Sequence, residues 1–88
     1  MKVRNMTSNS TGREIANQFI IEDGNKVYFQ SYKTIIAMKQ VGKITIDTNA
    51  ENYSRTTSKY LYQFLNTDKK RLLEDVKTGR IIRANLNA

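Results

Sequence analysis

The hydrophobic pattern of this 88-residue chain changes its period near Tyr53. Before that point, apolar residues alternate with polar ones or form short β-branched runs, as is typical of strands. After it, Tyr60, Leu61, Phe64 and Leu65 recur at the i, i+1, i+4, i+5 spacing of one helical face. Strands followed by helices predict an α+β fold.

The clearest turn signal is the triplet Asp23-Gly24-Asn25. Asp-Gly and Gly-Asn pairs readily adopt the positive φ values of tight hairpin turns. A strand-like segment begins at Glu14 and runs into this turn. After the turn, alternate residues of a second strand lie on opposite faces: Val27, Phe29 and Ser31 on one, Tyr28, Gln30 and Tyr32 on the other.

Residues 34–47 predict a second hairpin, because β-branched residues flank Val41-Gly42. A short helix over residues 32–40 is the competing interpretation, since Ile35, Ile36 and Met38 also suit a helical face. Residues 49–53 are polar and typical of a turn.

Two short helices follow. Ser54, Thr56, Thr57 or Ser58 would cap the first, and the second begins after residues 66–68. Leu72, Leu73 and Val76 form its apolar stripe, and Gly79 suits the position after its end. Residues 80–86 predict a last strand that returns to the sheet.

Together these patterns predict one fold. Residues 1–12 show neither hydrophobic period and are predicted to form a flexible N-terminal arm. Residues 13–88 are predicted to form a single α+β domain, in which a small antiparallel sheet of about four to five strands packs with two short helices.

The chain contains no Cys and no His. This excludes disulfides and removes the residue types that form most zinc and transition-metal sites, so only hard cations held by carboxylates remain. The common phosphate-binding and metalloprotease motifs are also missing from the sequence. We therefore expect no enzyme, no cofactor and no metal site.

The longest apolar runs, residues 19–21 and 35–38, are far below the ~20 residues that span a bilayer. The polar N-terminal stretch also lacks the apolar segment of a signal peptide. We expect a cytoplasmic protein that has no membrane partner. Because disulfides are excluded and no metal site is expected, homo-oligomerisation is the remaining means of adding stability to a small core.

The net charge is +7, and residues 55–88 carry eight basic groups against three acidic ones. Such an excess favours polyanionic partners, either nucleic acid or an acidic protein surface. The alternative is that the charge only keeps the protein soluble. The candidate nucleic-acid or anion-binding residues are Arg55, Thr56, Lys59, Tyr62, Lys69, Lys70, Arg71, Arg80 and Arg83.

The most distinctive stretch is residues 53–60, YSRTTSKY. Hydroxyls beside Arg55 and Lys59 at a helix N-terminus can hold phosphate or carboxylate oxygens. The alternative is that Ser and Thr only cap the helix while the aromatic residues pack in the core.

This stretch, together with residues 29–32 and 63–65, resembles a family of short, uncharacterised bacteriophage open reading frames that share a YSRTTxKYxxQFL core. The resemblance implies a phage origin and a location in the host-cell cytoplasm.

Three functional classes stay open. The first is an accessory protein that binds single-stranded or duplex nucleic acid with weak sequence preference. The second is an inhibitor that binds an acidic surface of a host protein, such as a defence nuclease or a polymerase. The third is a self-associating virion or assembly component.

Overall fold

The computed structural model describes residues 1–87, with the backbone alone at residue 51. Its strands are β1 (Lys2–Thr7), β2 (Glu14–Asp23), β3 (Lys26–Ser31), β4 (Thr34–Gln40), β5 (Lys43–Asp47) and β6 (Ile81–Ala84). The helices α1 (Arg55–Leu65) and α2 (Lys69–Lys77) lie between β5 and β6, after a short 3-10 turn at Ala50–Asn52. The predicted domain of residues 13–88 ends one residue beyond the described part.

The strands form one sheet in the order β1-β2-β3-β4-β5-β6. Strands β1 to β5 pair in antiparallel fashion, whereas β6 runs parallel to β5, with Ile44 opposite Ile81. A parallel neighbour needs a crossover connection, and the two helices supply it. The α+β class is confirmed, but the predicted four to five antiparallel strands are corrected to six in a mixed sheet.

The flexible arm predicted for residues 1–12 is wrong for its first half. Val3 pairs with Ile21 in the sheet, and the Asn5 side chain donates a hydrogen bond to the Ile15 carbonyl, 2.9 Å away. Met6 is 3% exposed and belongs to the core. Because Met6 is the strand's one buried apolar residue, β1 has too little alternation to show a strand period.

The predicted hairpins are confirmed. Gly24 has a φ of +60°, and Asp23 pairs with Lys26 across a two-residue turn. Residues 32–40 are not helical. Where β3 pairs with β4, Gln30 opposes Ile35 and Phe29 opposes Ala37. Ile36 of β4 is therefore the extra residue of a β-bulge. The bulge buries Ile36 and Ala37 together, which explains why this strand also resembled a helical face.

The helices cover one face of the sheet. The core there contains Ile20, Phe29, Ile36, Ile46 and Ile81 from the strands, and Leu61, Phe64 and Leu72 from the helices. The Phe29 and Phe64 ring centroids lie 5.7 Å apart. Lys39 donates a hydrogen bond to the Phe64 carbonyl at 2.8 Å, and its ammonium lies 4.2 Å from the Phe64 ring centroid. Burial lowers the pKa of Lys39.

Both helices begin at a side-chain cap. Ser54 Oγ accepts a hydrogen bond from the Thr57 N–H, and Asp68 accepts one from the Arg71 N–H. Thr57 is buried, and its hydroxyl lies 2.9 Å from the Ser31 hydroxyl of β3. The predicted stripe of α2 is corrected at Leu73, which is 42% exposed.

Asp47, at the end of β5, holds the C-terminal segment. Its carboxylate accepts hydrogen bonds from the Leu86 N–H, the Asn87 side chain, the Asn49 N–H and the Tyr53 hydroxyl, at 3.1 to 3.3 Å. Burial alone would raise the pKa of Asp47, but these four bonds together hold it below its ordinary value. The Asn87 side chain also pairs with both backbone groups of Ile35.

Replacing Thr57 by Val removes the hydroxyl that contacts Ser31 and Ser54 at nearly constant volume. A buried polar group left without its partner costs about 1–3 kcal/mol. We expect the free energy of unfolding, measured by urea titration, to fall by about this amount. The control Thr56→Val, on an exposed neighbour, should stay within about 0.5 kcal/mol of wild type. Equal losses for the two variants would contradict the role of this hydroxyl.

The variant Asp47→Asn tests the hydrogen bonds that the Asp47 carboxylate accepts, through the pH dependence of stability. The Asp47 carboxyl has a pKa near 3.9 in the unfolded chain and a lower pKa in the folded protein. The stabilisation that the ionised Asp47 contributes to the fold is therefore present above about pH 4, and it is lost as the pH falls through the folded-state pKa. We expect the variant to be less stable at pH 7, and the difference in unfolding free energy to shrink on acidification. Parallel pH profiles for the two proteins would disprove this.

Candidate nucleic-acid interface

One stripe of α1 lies beside the core and borders the solvent, and its last member, Tyr62, packs partly against the core. Arg55, Ser58, Lys59 and Tyr62 stand at the i, i+3, i+4, i+7 spacing that places residues on one helical face. Arg55 and Lys59 are exposed, while Ser58 and Tyr62 are half-buried. The helix therefore divides into a buried side and a basic, tyrosine-containing side.

This stripe lines an open cavity of about 770 Å³, the basic groove. The lining residues are Asn52, Tyr53, Arg55, Ser58, Lys59, Tyr62 and Lys69. Three of them are cations, and the lining includes none of the carboxylates that the structure describes. Such a surface attracts phosphate and other anionic groups.

Lys69 reaches the groove because the chain turns sharply between the helices. Asn66 ends α1 in the left-handed conformation, with a φ of +54°, and Asp68 then caps α2. The first residue of α2 is thereby placed beside the α1 stripe. Lys69 also stands where the helix dipole disfavours a cation, so its position in the groove is not explained by helix stability.

Tyr53 forms another part of the groove wall. It is 40% exposed, and its hydroxyl donates to Asp47 at 3.1 Å. Partial burial, the hydrogen bond and the negative charge of Asp47 raise the pKa of Tyr53. The bond from the Tyr53 hydroxyl to Asp47 fixes one edge of the ring.

The YSRTTSKY motif divides into two sets of residues. Ser54 caps α1, and Thr57 bonds with Ser31 in the interior, so both hydroxyls serve the fold. Tyr53, Arg55, Ser58 and Lys59 line the groove. The Lys59 ammonium also lies 5.4 Å from the Tyr60 ring centroid.

Four of the nine predicted site residues meet in the basic groove: Arg55, Lys59, Tyr62 and Lys69. The other five, Thr56, Lys70, Arg71, Arg80 and Arg83, do not line it. Arg83 Nη1 donates to the Thr48 carbonyl at 3.3 Å, beside the end of β5. Asn52, Tyr53 and Ser58 line the groove but were not among the predicted site residues. Ser58 was detectable from its helical spacing, whereas Asn52 depends on the fold of the preceding turn.

A family model described as a family of unknown function, DUF8033, matches residues 1–81. The chain belongs to this family. The match agrees with the expectation of an uncharacterised family, and it includes every residue that lines the groove of this DUF8033 member. No curated protein and no solved structure matches the chain.

The α1 and α2 helices of this DUF8033 member are too short to cross a membrane, and no other helix within residues 1–87 meets that requirement. Among the side chains that the structure describes, no three acidic groups converge in a way that could hold a metal ion.

Proposed function

We propose that this DUF8033 member is a non-enzymatic accessory protein that binds nucleic acid in its basic groove. The observation that carries the proposal is the convergence of Arg55, Lys59 and Lys69 with two tyrosines in one open cavity. We propose also that the protein comes from a phage and acts in the host-cell cytoplasm.

The three cations would contact backbone phosphates. Contacts of this kind are independent of sequence and release counterions, so the affinity falls steeply with salt. Arg55 and Lys59 stand one helical turn apart on α1, while Lys69 belongs to α2. Their arrangement on two elements would hold successive phosphates of a bound strand in a defined path.

The tyrosines favour a single strand over a duplex. Proteins that bind single strands combine a positive groove with aromatic rings on which unpaired bases stack. Tyr53 and Tyr62 line the same groove as the cations. Stacking needs only the face of a base, so weak sequence preference is expected.

An acidic surface of a host protein is the second candidate partner. The groove combines Arg55 with Tyr53 and Tyr62, and Arg and Tyr are enriched among the residues that dominate protein interfaces. In this role the protein would act as an inhibitor, for example of a defence nuclease or a polymerase.

The double variant Arg55→Ala/Lys59→Ala tests the first proposal. We expect fluorescence anisotropy of labelled single-stranded DNA and RNA to show binding that weakens from about 50 to 200 mM salt. On single strands each phosphate contact contributes a slope of about −0.7 to log K against log salt, so losing two contacts should make the slope shallower by about 1.4.

The matched control is Lys70→Ala/Arg71→Ala, which removes the same charge from exposed residues outside the groove. It should keep most of the affinity. Equal losses for the two double variants would contradict groove binding. If the protein does not bind nucleic acid even at 50 mM salt, the nucleic-acid proposal as a whole is contradicted. An acidic surface of a host protein is then the remaining candidate partner.

Tyr62→Leu tests stacking separately from charge. Leu preserves apolar contact with the core but removes the ring, and base stacking is worth about 1–3 kcal/mol per base. We expect at least about fivefold weaker binding to single strands, with a smaller change for duplexes and an unchanged salt slope. An equal loss for single strands and duplexes would rule out stacking at this position.

A further inference from the structure

The face of the sheet opposite the helices carries a continuous cross-strand row. Val3 pairs with Ile21, Ile21 with Tyr28, Tyr28 with Met38, Met38 with Thr45, and Thr45 with Ile82. Paired residues share one face of a sheet. All six strands therefore contribute one residue to this row, and five of the six residues are apolar or aromatic. We call this surface the open sheet face.

No described element covers the apolar residues of this row. None of them belongs to the core or to the partly buried residues packed against it. Val3 is 58% exposed and Ile82 is 44% exposed, Ile21, Tyr28 and Met38 are half-buried, and Thr45 between Met38 and Ile82 is 3% exposed. Contiguous exposed apolar surface on a small protein marks an interaction site.

Three charged residues and Gln40 flank the row at one end. Asp23 pairs with Lys26, and Gln40 pairs with Lys43, each two residues from the row along its strand. Because side chains alternate with a period of two, these four residues share the open sheet face. Asp23 lies on β2, and Lys43 lies at the same level on β5; both are exposed.

This arrangement is complementary to itself. Consider an axis parallel to the strands that lies above the open sheet face, midway between β3 and β4. It places β3 of a second copy over β4 of the first, β2 over β5, and β1 over β6. Rotation by 180° about that axis places a second sheet over the first, as in an aligned β-sandwich. Tyr28 then faces Met38 of the second copy, and at the rim Asp23 faces Lys43 while Lys26 faces the uncharged Gln40.

We propose that the open sheet face binds a second copy of this chain and forms a two-fold symmetric, face-to-face dimer. Each contact occurs twice in such an interface. The interface combines two central Tyr–Met contacts with two Asp–Lys pairs at the rim, and contacts between a thioether and an aromatic ring are favourable. The groove remains accessible, because α1 packs on the opposite face of the sheet.

Sedimentation equilibrium over a range of protein concentrations tests the apolar centre. The wild-type chain should dimerise, and Met38→Lys should weaken dimerisation at least about tenfold, as expected for a charge introduced at the centre of an interface. The matched control is Leu73→Lys, on an α2 residue that is 42% exposed, and it should leave the dimer unchanged. Circular dichroism checks that each variant is folded.

The rim charges test the two-fold arrangement without touching the centre. Asp23→Lys brings two Lys–Lys pairs together and Lys43→Asp brings two Asp–Asp pairs together, so each variant alone should dimerise several-fold more weakly. An equimolar mixture of the two variants should recover the wild-type affinity, because every rim pair in the mixed dimer is again Asp–Lys.

Three results would overturn the proposal. The first is a wild-type chain that stays monomeric up to about 1 mM. The second is a dimer that Leu73→Lys weakens as much as Met38→Lys does. The third is a dimer that is insensitive to both rim variants.

Discussion

The structure depends on the docking of α1 across the centre of the sheet. Near the start of the helix, the Thr57 hydroxyl lies against Ser31 of β3, and at its end the Phe64 carbonyl accepts a hydrogen bond from Lys39 of β4. Between them, Leu61 is fully buried. A helix held at both ends cannot rotate about its axis. Its outer stripe is therefore fixed toward solvent, and the basic groove is fixed with it.

Local patterns predicted most of the fold, and tertiary pairing limited the rest. Alternation, turn residues and caps were sufficient for β2, β3, β5 and both helices, because each of these elements has several buried positions or a specific turn. For β4 they left a helix as an alternative, since its bulge buries the neighbours Ile36 and Ala37 together. Strand β1 has Met6 as its one buried apolar side chain, so its period was hidden. The direction of β6 could not be read locally, since it depends on which strand lies beside it after the crossover.

The candidate site was predictable to the extent that helical spacing determines it. Arg55, Lys59 and Tyr62 follow from the periodicity of α1, whereas Lys69 joins them only because Asn66 and Asp68 set the angle between two helices. Lys70 and Arg71 follow Lys69 in sequence yet do not line the groove. Charge in the sequence identified a basic region, and the fold determines which of its members line one groove. The sheet separates two surfaces of different chemistry. The basic groove lies on the side that carries the helices, and the apolar row lies on the opposite, open sheet face.

The most direct test of this account is an NMR titration of the 15N-labelled protein with a short single-stranded oligonucleotide at low salt. Binding in the groove predicts that backbone amide shifts concentrate in residues 52–69, while Tyr28, Met38 and Ile82 on the open sheet face stay unchanged. Shifts concentrated on the open sheet face, or spread evenly over all exposed lysines and arginines, would contradict the central claim that α1 presents a specific binding groove.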